Sequence, residues 1–247
     1  MEAAQKIRNA VARVSLLRQA SERDPALRLA VVQVKRVQAR RFSGTYADLM
    51  MPGGPYAAAA RFFLEELYSD KDYAQRDAQF ARIAGAIEKF FPTQVVQTAV
   101  ALAELHAITE ELDQAMGQAW LATDTAGSDA RRYATAWRAL GRRTEREAQL
   151  SVVLEIGDQM ARLTRTPGLR MMLRLMRGPA LAAGLGSLQR FLETGFDTFA
   201  AMAGGRQGAA QFLGTIGARE SALLVLLFDT ELVASGTELA RTLGQAP

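Results

Sequence analysis

The chemistry open to this chain is set by a single histidine, His106, and by the absence of cysteine. Without cysteine there is no thiolate zinc site, no iron–sulfur cluster and no thiol nucleophile. Di-iron carboxylate bundles need Glu-x-x-His pairs from two helices, which one histidine cannot supply. The residues therefore argue against an enzyme and leave one imidazole to account for.

His106 lies on a helix that the sequence predicts over residues 92–121. The apolar stripe of this helix is centred on Leu105, Leu112 and Met116, and His106 is about 100° from its middle. Glu110 follows four residues later, within reach of an exposed imidazole. Two interpretations follow: a flanking histidine paired with Glu110 at the surface, or an axial haem ligand.

A second cluster combines arginines with methionines. No acidic residue occurs between Asp158 and Glu193. The arginines of interest are Arg170, Arg174 and Arg177, beside Met171, Met172, Leu173, Leu175 and Met176. A basic amphipathic helix of this kind binds anionic lipid, an acidic ligand or a protein partner. The alternative is that the methionines fill an irregular core while the arginines extend to water.

The elements that must position these residues are helices, because apolar residues recur at spacings of three and four and no stretch alternates with period two. Breakers predict an all-α, single-domain bundle of about nine helices. The predicted helices cover residues 3–20, 25–42, 56–68, 73–90, 92–121, 129–165, 168–177, 180–203 and 207–231. We expect an N-terminal helical arm over 1–42, a main domain over 56–231 and a fraying C-terminal tail over 232–247.

Composition and patterning also bear on location. The net charge is +4, and the basic N-terminal helices lack interleaved aromatics and a helix-turn-helix signature, so we expect no sequence-specific nucleic-acid binding. The first residues lack the apolar core of an export signal. The longest apolar run, residues 222–228, is far shorter than a membrane span and is predicted to be a buried helix segment. A reducing cytoplasm fits best.

Residues 62–68 spell Phe-Phe-Leu-Glu-Glu-Leu-Tyr. By this heptapeptide and by Thr45-Tyr46-Ala47-Asp48-Leu49 before it, the chain resembles the FFLEELY motif proteins of proteobacteria. The resemblance spans most of the chain but implies no activity. Phe62 and Phe63 are predicted to organise a core. Glu65 and Glu66 are the candidate partner-facing carboxylates.

The middle of the chain also resembles globins in architecture. An aromatic-rich helix, a short acidic linker, a helix over residues 77–91 and then Leu102-Ala103-Glu104-Leu105-His106 follow the order that leads to the proximal histidine of a globin. The resemblance implies haem as cofactor, with His106 as metal ligand and with Phe62 and Phe63 in the cofactor-binding set.

These observations favour a non-enzymatic module that binds a protein partner or forms a homo-oligomer. Two alternatives stay open. One is a globin-like haem-binding or sensor protein that uses His106, and the other is peripheral binding of anionic lipid through Arg170, Arg174 and Arg177.

Overall fold

A computed structural model describes residues 2–67, 71–123, 128–203 and 208–245, and these ranges contain helices and no strand. The predicted all-α class is confirmed. The helices are α1 (Ala3–Arg23), α2 (Pro25–Thr45), α3 (Ala57–Glu66), α4 (Ala74–Phe90), α5 (Thr93–Ala122), α6 (Asp129–Leu140), α7 (Arg143–Leu163), α8 (Leu169–Leu175), α9 (Arg177–Ala182), α10 (Gly186–Ala203), α11 (Gly208–Asp229) and α12 (Leu232–Thr242).

Twelve described helices exceed the predicted nine because two predicted helices are divided and because α12 lies in the predicted tail. The helix predicted over 129–165 ends at Gly141, whose φ of 69° is left-handed, and Arg142 follows with a φ of 57°. Glycine adopts this conformation without the steric cost that other residues carry. Residues 168–182 form two short helices, α8 and α9, before α10 begins.

The predicted C-terminal tail is wrong for residues 232–242, which form α12. Leu239 is 1% exposed and packs with residues of α2, α6 and α11 in one apolar cluster. The segment is held in place because its apolar residues, spaced for one helical face, are covered by these neighbours. It is part of this apolar cluster.

The chain divides into two compact units. The first consists of Met1–Ser15, Lys71–Ala107 and Val152–Gly214, and the second of Leu16–Asp70, Ile108–Ser151 and Thr215–Pro247. Helices α1, α5, α7 and α11 each contribute residues to both units. The boundaries predicted near residues 42, 56 and 231 do not coincide with the limits of these units.

One apolar cluster of the first unit, shared by α1, α4 and α5, is built mainly from small residues. Ile7 and Val14 of α1 are fully buried, with Ala84 of α4 and with Ala103 and Ala107 of α5. Alanine on facing helices lets backbones approach closely, so three helices share a narrow core. His106 is next to Ala107 and therefore borders this core.

Larger side chains fill the core of the second unit. Val34, Met116, Trp137, Leu227 and Leu239 come from α2, α5, α6, α11 and α12. Phe62 and Phe63 of α3 are also buried, as a pair of rings in edge-to-face contact with centroids 6.4 Å apart.

One glycine marks a close approach in the second unit. A Cβ atom placed on Gly44, in the last turn of α2, would lie 1.9 Å from the carbonyl oxygen of Thr242 in α12. Only a residue without a side chain fits there, because the obstacle is backbone.

A buried ion pair joins α2 to α11 nearby. Glu220 accepts hydrogen bonds from the Arg41 guanidinium and, at 2.8 Å, from the Tyr46 hydroxyl. Tyr46 is fully buried, and Arg41 and Glu220 are 7% and 9% exposed. Asp48, two residues past Tyr46, accepts two hydrogen bonds of 2.7 Å from Arg219, which keep the pKa of the Asp48 carboxyl below its usual value. The Thr45–Leu49 segment is thus fixed by charged groups of α11.

Among the described helices, α11 has the length and apolar composition that crossing a membrane would require. Of the 18-residue apolar stretch in this helix, 28% is buried. Core helices of proteins that never enter a membrane can have the same length and apolar composition. The apolar run 222–228 lies within this helix, with Leu224 and Leu227 buried and Val225 half-exposed.

Candidate functional site

The imidazole of His106 is paired with an aspartate. Its Nε2 lies 2.9 Å from Oδ2 of Asp77, which is 5% exposed on α4 in the same unit. The predicted pair with Glu110 is wrong, because Glu110 accepts a 2.6 Å hydrogen bond from Lys35. Glu104, two residues before the histidine, pairs with Arg13 at 2.9 Å. His106 therefore joins α5 to α4 at the border of the first core.

Several observations bear on the residues assigned to haem. Ligation through Nε2 of His106 would require breaking its bond with Asp77. Phe62 and Phe63 belong to the second unit, whereas His106 belongs to the first. Within the described ranges, no group of three or more histidines and carboxylates could hold a metal ion. The bond to Asp77 occupies the Nε2 atom that haem iron would need, and haem binding stays a prediction.

The carboxylates of the FFLEELY motif lie at the end of α3. Glu65 is exposed and Glu66 is half-buried, while Tyr68 of the motif is outside the described residues. Their role in contacting a partner stays a prediction.

The methionine-rich segment is at the surface. Helix α8 has no buried residue, and α9 buries only Ala180. Met171 is 68% exposed, Leu175 72% and Leu181 60%. The core-filling interpretation of this segment is therefore wrong for these side chains, because their apolar faces meet solvent.

The three arginines of this segment differ in their partners. Arg170 is 2.8 Å from Asp197 of α10, and Arg177 forms a two-atom contact with Glu193 of α10 at 2.7 and 3.1 Å. Arg174 is exposed and makes no direct ion pair in the described part of the chain. The hydrogen bond from Arg177 holds the pKa of Glu193 below its usual value. We call the exposed faces of α8 and α9, residues 169–182, the α8–α9 surface.

Sequence reasoning missed a buried polar network in the second unit. Lys35 of α2 reaches Glu110, and Gln38, one turn later, donates a 3.0 Å hydrogen bond to Asp113. Asp113 is 3% exposed, and Lys35 Nζ is 4.0 Å from its second oxygen. The available signal was the spacing of His106, Glu110 and Asp113, which puts three polar residues along one edge of α5.

The charges of this network change the pKa values of its members. Burial raises the pKa of Asp113, and Lys35 only partly offsets this effect. Burial lowers the pKa of Lys35, but Asp113 and Glu110 outweigh it and the net shift is upward. Burial also raises the pKa of Tyr133, so its phenol stays neutral. The hydrogen bonds of the network run from α2 to α5, and its arrangement is that of a structural connection between the two helices.

Replacing Asp113 with asparagine is expected to change how stability depends on pH. Asparagine keeps an oxygen acceptor for Gln38 but cannot ionise. Because burial raises the pKa of Asp113 in the folded state, its stabilising contribution is complete below the unfolded pKa, near 4, and is lost as pH rises through the folded pKa. The unfolding free energy of the variant relative to wild type should therefore rise with pH in that window, by up to about 1.4 kcal/mol per pH unit.

Urea unfolding of both proteins at several pH values between 4 and 7 measures this difference. Asp229→Asn is the control, because Arg143 lowers the pKa of Asp229, so this carboxyl is ionised in the folded chain throughout the range and its contribution should stay nearly constant. Parallel stability curves for wild type and Asp113→Asn would show that Asp113 is not perturbed in the folded chain.

Fold and site together define an all-α protein of two helical units with an exposed, apolar and arginine-bearing surface on short helices. A family model matches residues 17–233, and the chain belongs to that family, which is described as "Domain of unknown function (DUF8198)". No curated protein and no solved structure matches the chain significantly.

Proposed function

We propose that this chain is a non-enzymatic binding module that attaches to anionic lipid through the α8–α9 surface. The observation that carries the proposal is the coincidence, in one short segment, of exposed large apolar side chains with arginines and no carboxylate. Single exposed apolar residues are ordinary on protein surfaces, whereas a cluster indicates an interaction site.

The apolar part of the surface suits the interface of a bilayer. Met171 and Leu175 are four residues apart on α8 and therefore share one helical face. Complete burial of such a side chain contributes about 1.5 to 3 kcal/mol, so a few partly inserted side chains supply a weak, reversible attachment. Short amphipathic segments lie in the interface in this way.

The arginines supply the charge complementarity. Each basic residue near an anionic leaflet contributes about 1 kcal/mol, an attraction that salt screens. Arg174 is available for such contacts, whereas Arg170 and Arg177 are paired with Asp197 and Glu193. The negatively charged cytoplasmic leaflet agrees with the cytoplasmic location that we infer from the absence of cysteine.

The same surface could instead serve a protein partner or a second copy of the chain, as the sequence predicts. We favour lipid because a bilayer needs no shape complementarity and accepts side chains that project from a short helix with no buried residue. Membership in the FFLEELY motif group is a further prediction, supported by the heptapeptide at residues 62–68.

Flotation with liposomes tests the proposal. The full chain should float with vesicles of phosphatidylglycerol and phosphatidylcholine but not with phosphatidylcholine alone, and 0.5 M salt should release it. Met171→Ser/Leu175→Ser should weaken binding about tenfold or more. The matched control is Leu29→Ser/Val233→Ser, because these residues are 66% and 62% exposed on other helices.

Equal binding by the two double variants, or equal binding to neutral vesicles, would contradict the proposal. If no vesicle binds but light scattering reports a dimer that Met171→Ser/Leu175→Ser dissociates, the surface joins copies of the chain and the lipid proposal is wrong.

A further inference from the structure

Two arginines of the α8–α9 surface are already bound to carboxylates of the same chain. Arg170 pairs with Asp197 and Arg177 with Glu193, and these carboxylates are four residues apart on α10. Residues at this spacing share one helical face. One face of α10 therefore presents two negative charges to the arginines of the α8–α9 surface.

The contacts that attach α8 to α10 are mainly polar. Helix α8 has no buried residue, so little apolar burial fixes it. Gln189 donates hydrogen bonds to the Leu173 carbonyl oxygen at 2.7 Å and to Glu193 at 3.0 Å. One glutamine thus connects the backbone of α8 to the carboxylate that holds Arg177. Arg170, Arg177 and Asp197 are about half-exposed, and ion pairs that involve exposed groups contribute little to stability.

We infer that Glu193 and Asp197 form an internal anionic competitor, which occupies Arg177 and Arg170 until the phosphates of an anionic surface replace the two carboxylates. The inference rests on the proposed lipid binding and adds its regulation. The internal pairs set a minimum density of anionic lipid for binding. A sparsely charged membrane competes poorly for the two arginines, because the two carboxylates are permanently nearby. A densely charged membrane displaces them and releases α8 from α10.

Replacing both carboxylates with neutral amides tests whether they compete with lipid for the arginines. Glu193→Gln/Asp197→Asn should bind vesicles of low phosphatidylglycerol content about thirtyfold more tightly than wild type, because about 1 kcal/mol is gained for each of the two arginines released. Glu147→Gln/Asp229→Asn is the matched control: it removes the same two charges and breaks two exposed pairs with Arg143 in the second unit. The control should change affinity less than twofold, roughly the effect of net charge alone.

A measurement without lipid separates this inference from the proposed function. Amide hydrogen exchange of residues 169–182 should be faster in Glu193→Gln/Asp197→Asn than in wild type and unchanged in the control. The inference that Glu193 and Asp197 act as an internal competitor is wrong under either of two results. Wild type binds vesicles but the double variant binds no better than the control, or amide exchange of residues 169–182 is unchanged in the variant. If neither wild type nor either double variant binds vesicles, the proposed function is wrong. Faster exchange in Glu193→Gln/Asp197→Asn would then still show that the two carboxylates of α10 stabilise α8.

Discussion

Gly44→Ala is expected to lower the free energy of unfolding by about 3 kcal/mol or more. The added Cβ would lie 1.9 Å from the carbonyl oxygen of Thr242, so α2 and α12 must move apart. A side chain could rotate away, but a backbone carbonyl inside a helix cannot. Urea unfolding followed by circular dichroism measures the loss.

Gly214→Ala is the control for this prediction. Gly214 lies inside α11, and nothing is within 4 Å of a Cβ placed there. Alanine should raise stability by about 0.5 to 1 kcal/mol, because glycine loses more backbone entropy in a helix. If both variants changed stability in the same direction, the close approach at Gly44 would not exist.

Glu220→Ala is expected to cost about 3 to 5 kcal/mol, because it leaves the Arg41 guanidinium buried without the carboxylate that balances it. The same substitution removes the acceptor of the Tyr46 hydroxyl. Chemical denaturation again provides the measurement.

Two further variants separate charge from packing at this site. Tyr46→Phe removes one hydrogen bond and should cost about 1 kcal/mol. Arg41→Met/Glu220→Leu removes both charges together and should be close to neutral. A double variant as unstable as Glu220→Ala would mean that lost packing, and not an unbalanced charge, explains the effect.

The sequence predicted the fold class because helical periodicity is a local property of the chain. It placed the start of α2 correctly, where Pro25 follows Asp24 and the aspartate side chain accepts a hydrogen bond from the amide of Leu27. It did not predict the end of α6 at Gly141, because an isolated glycine inside a periodic pattern is tolerated in many helices. It missed α12, because the apolar residues that hold this helix are distant in sequence.

The candidate sites were predicted less well, since a partner in space cannot be found from a helical wheel. The wheel placed His106 at the edge of an apolar stripe, but Asp77, its partner, is 29 residues away on another helix. Glu110 was the nearest acid along the helix, yet Lys35 of α2 binds it. The arginines and methionines of α8 were recognised as a group. A seven-residue helix has too few turns for its pattern to tell a buried methionine from an exposed one.

The two units alternate along the chain, and this order affects how the protein folds during synthesis. Each unit draws on three separate stretches, and the first is complete only when Gly214 has been made. During synthesis on the ribosome, the first unit cannot close its core until most of the second has also been made, because residues 16–70 and 108–151 precede its last stretch. Domain-by-domain folding, by which many larger proteins limit aggregation, is therefore closed to this chain. The helices that are synthesised first keep their apolar faces exposed until the helices that cover them have been made. A chaperone that shields nascent segments should therefore raise the yield of folded protein.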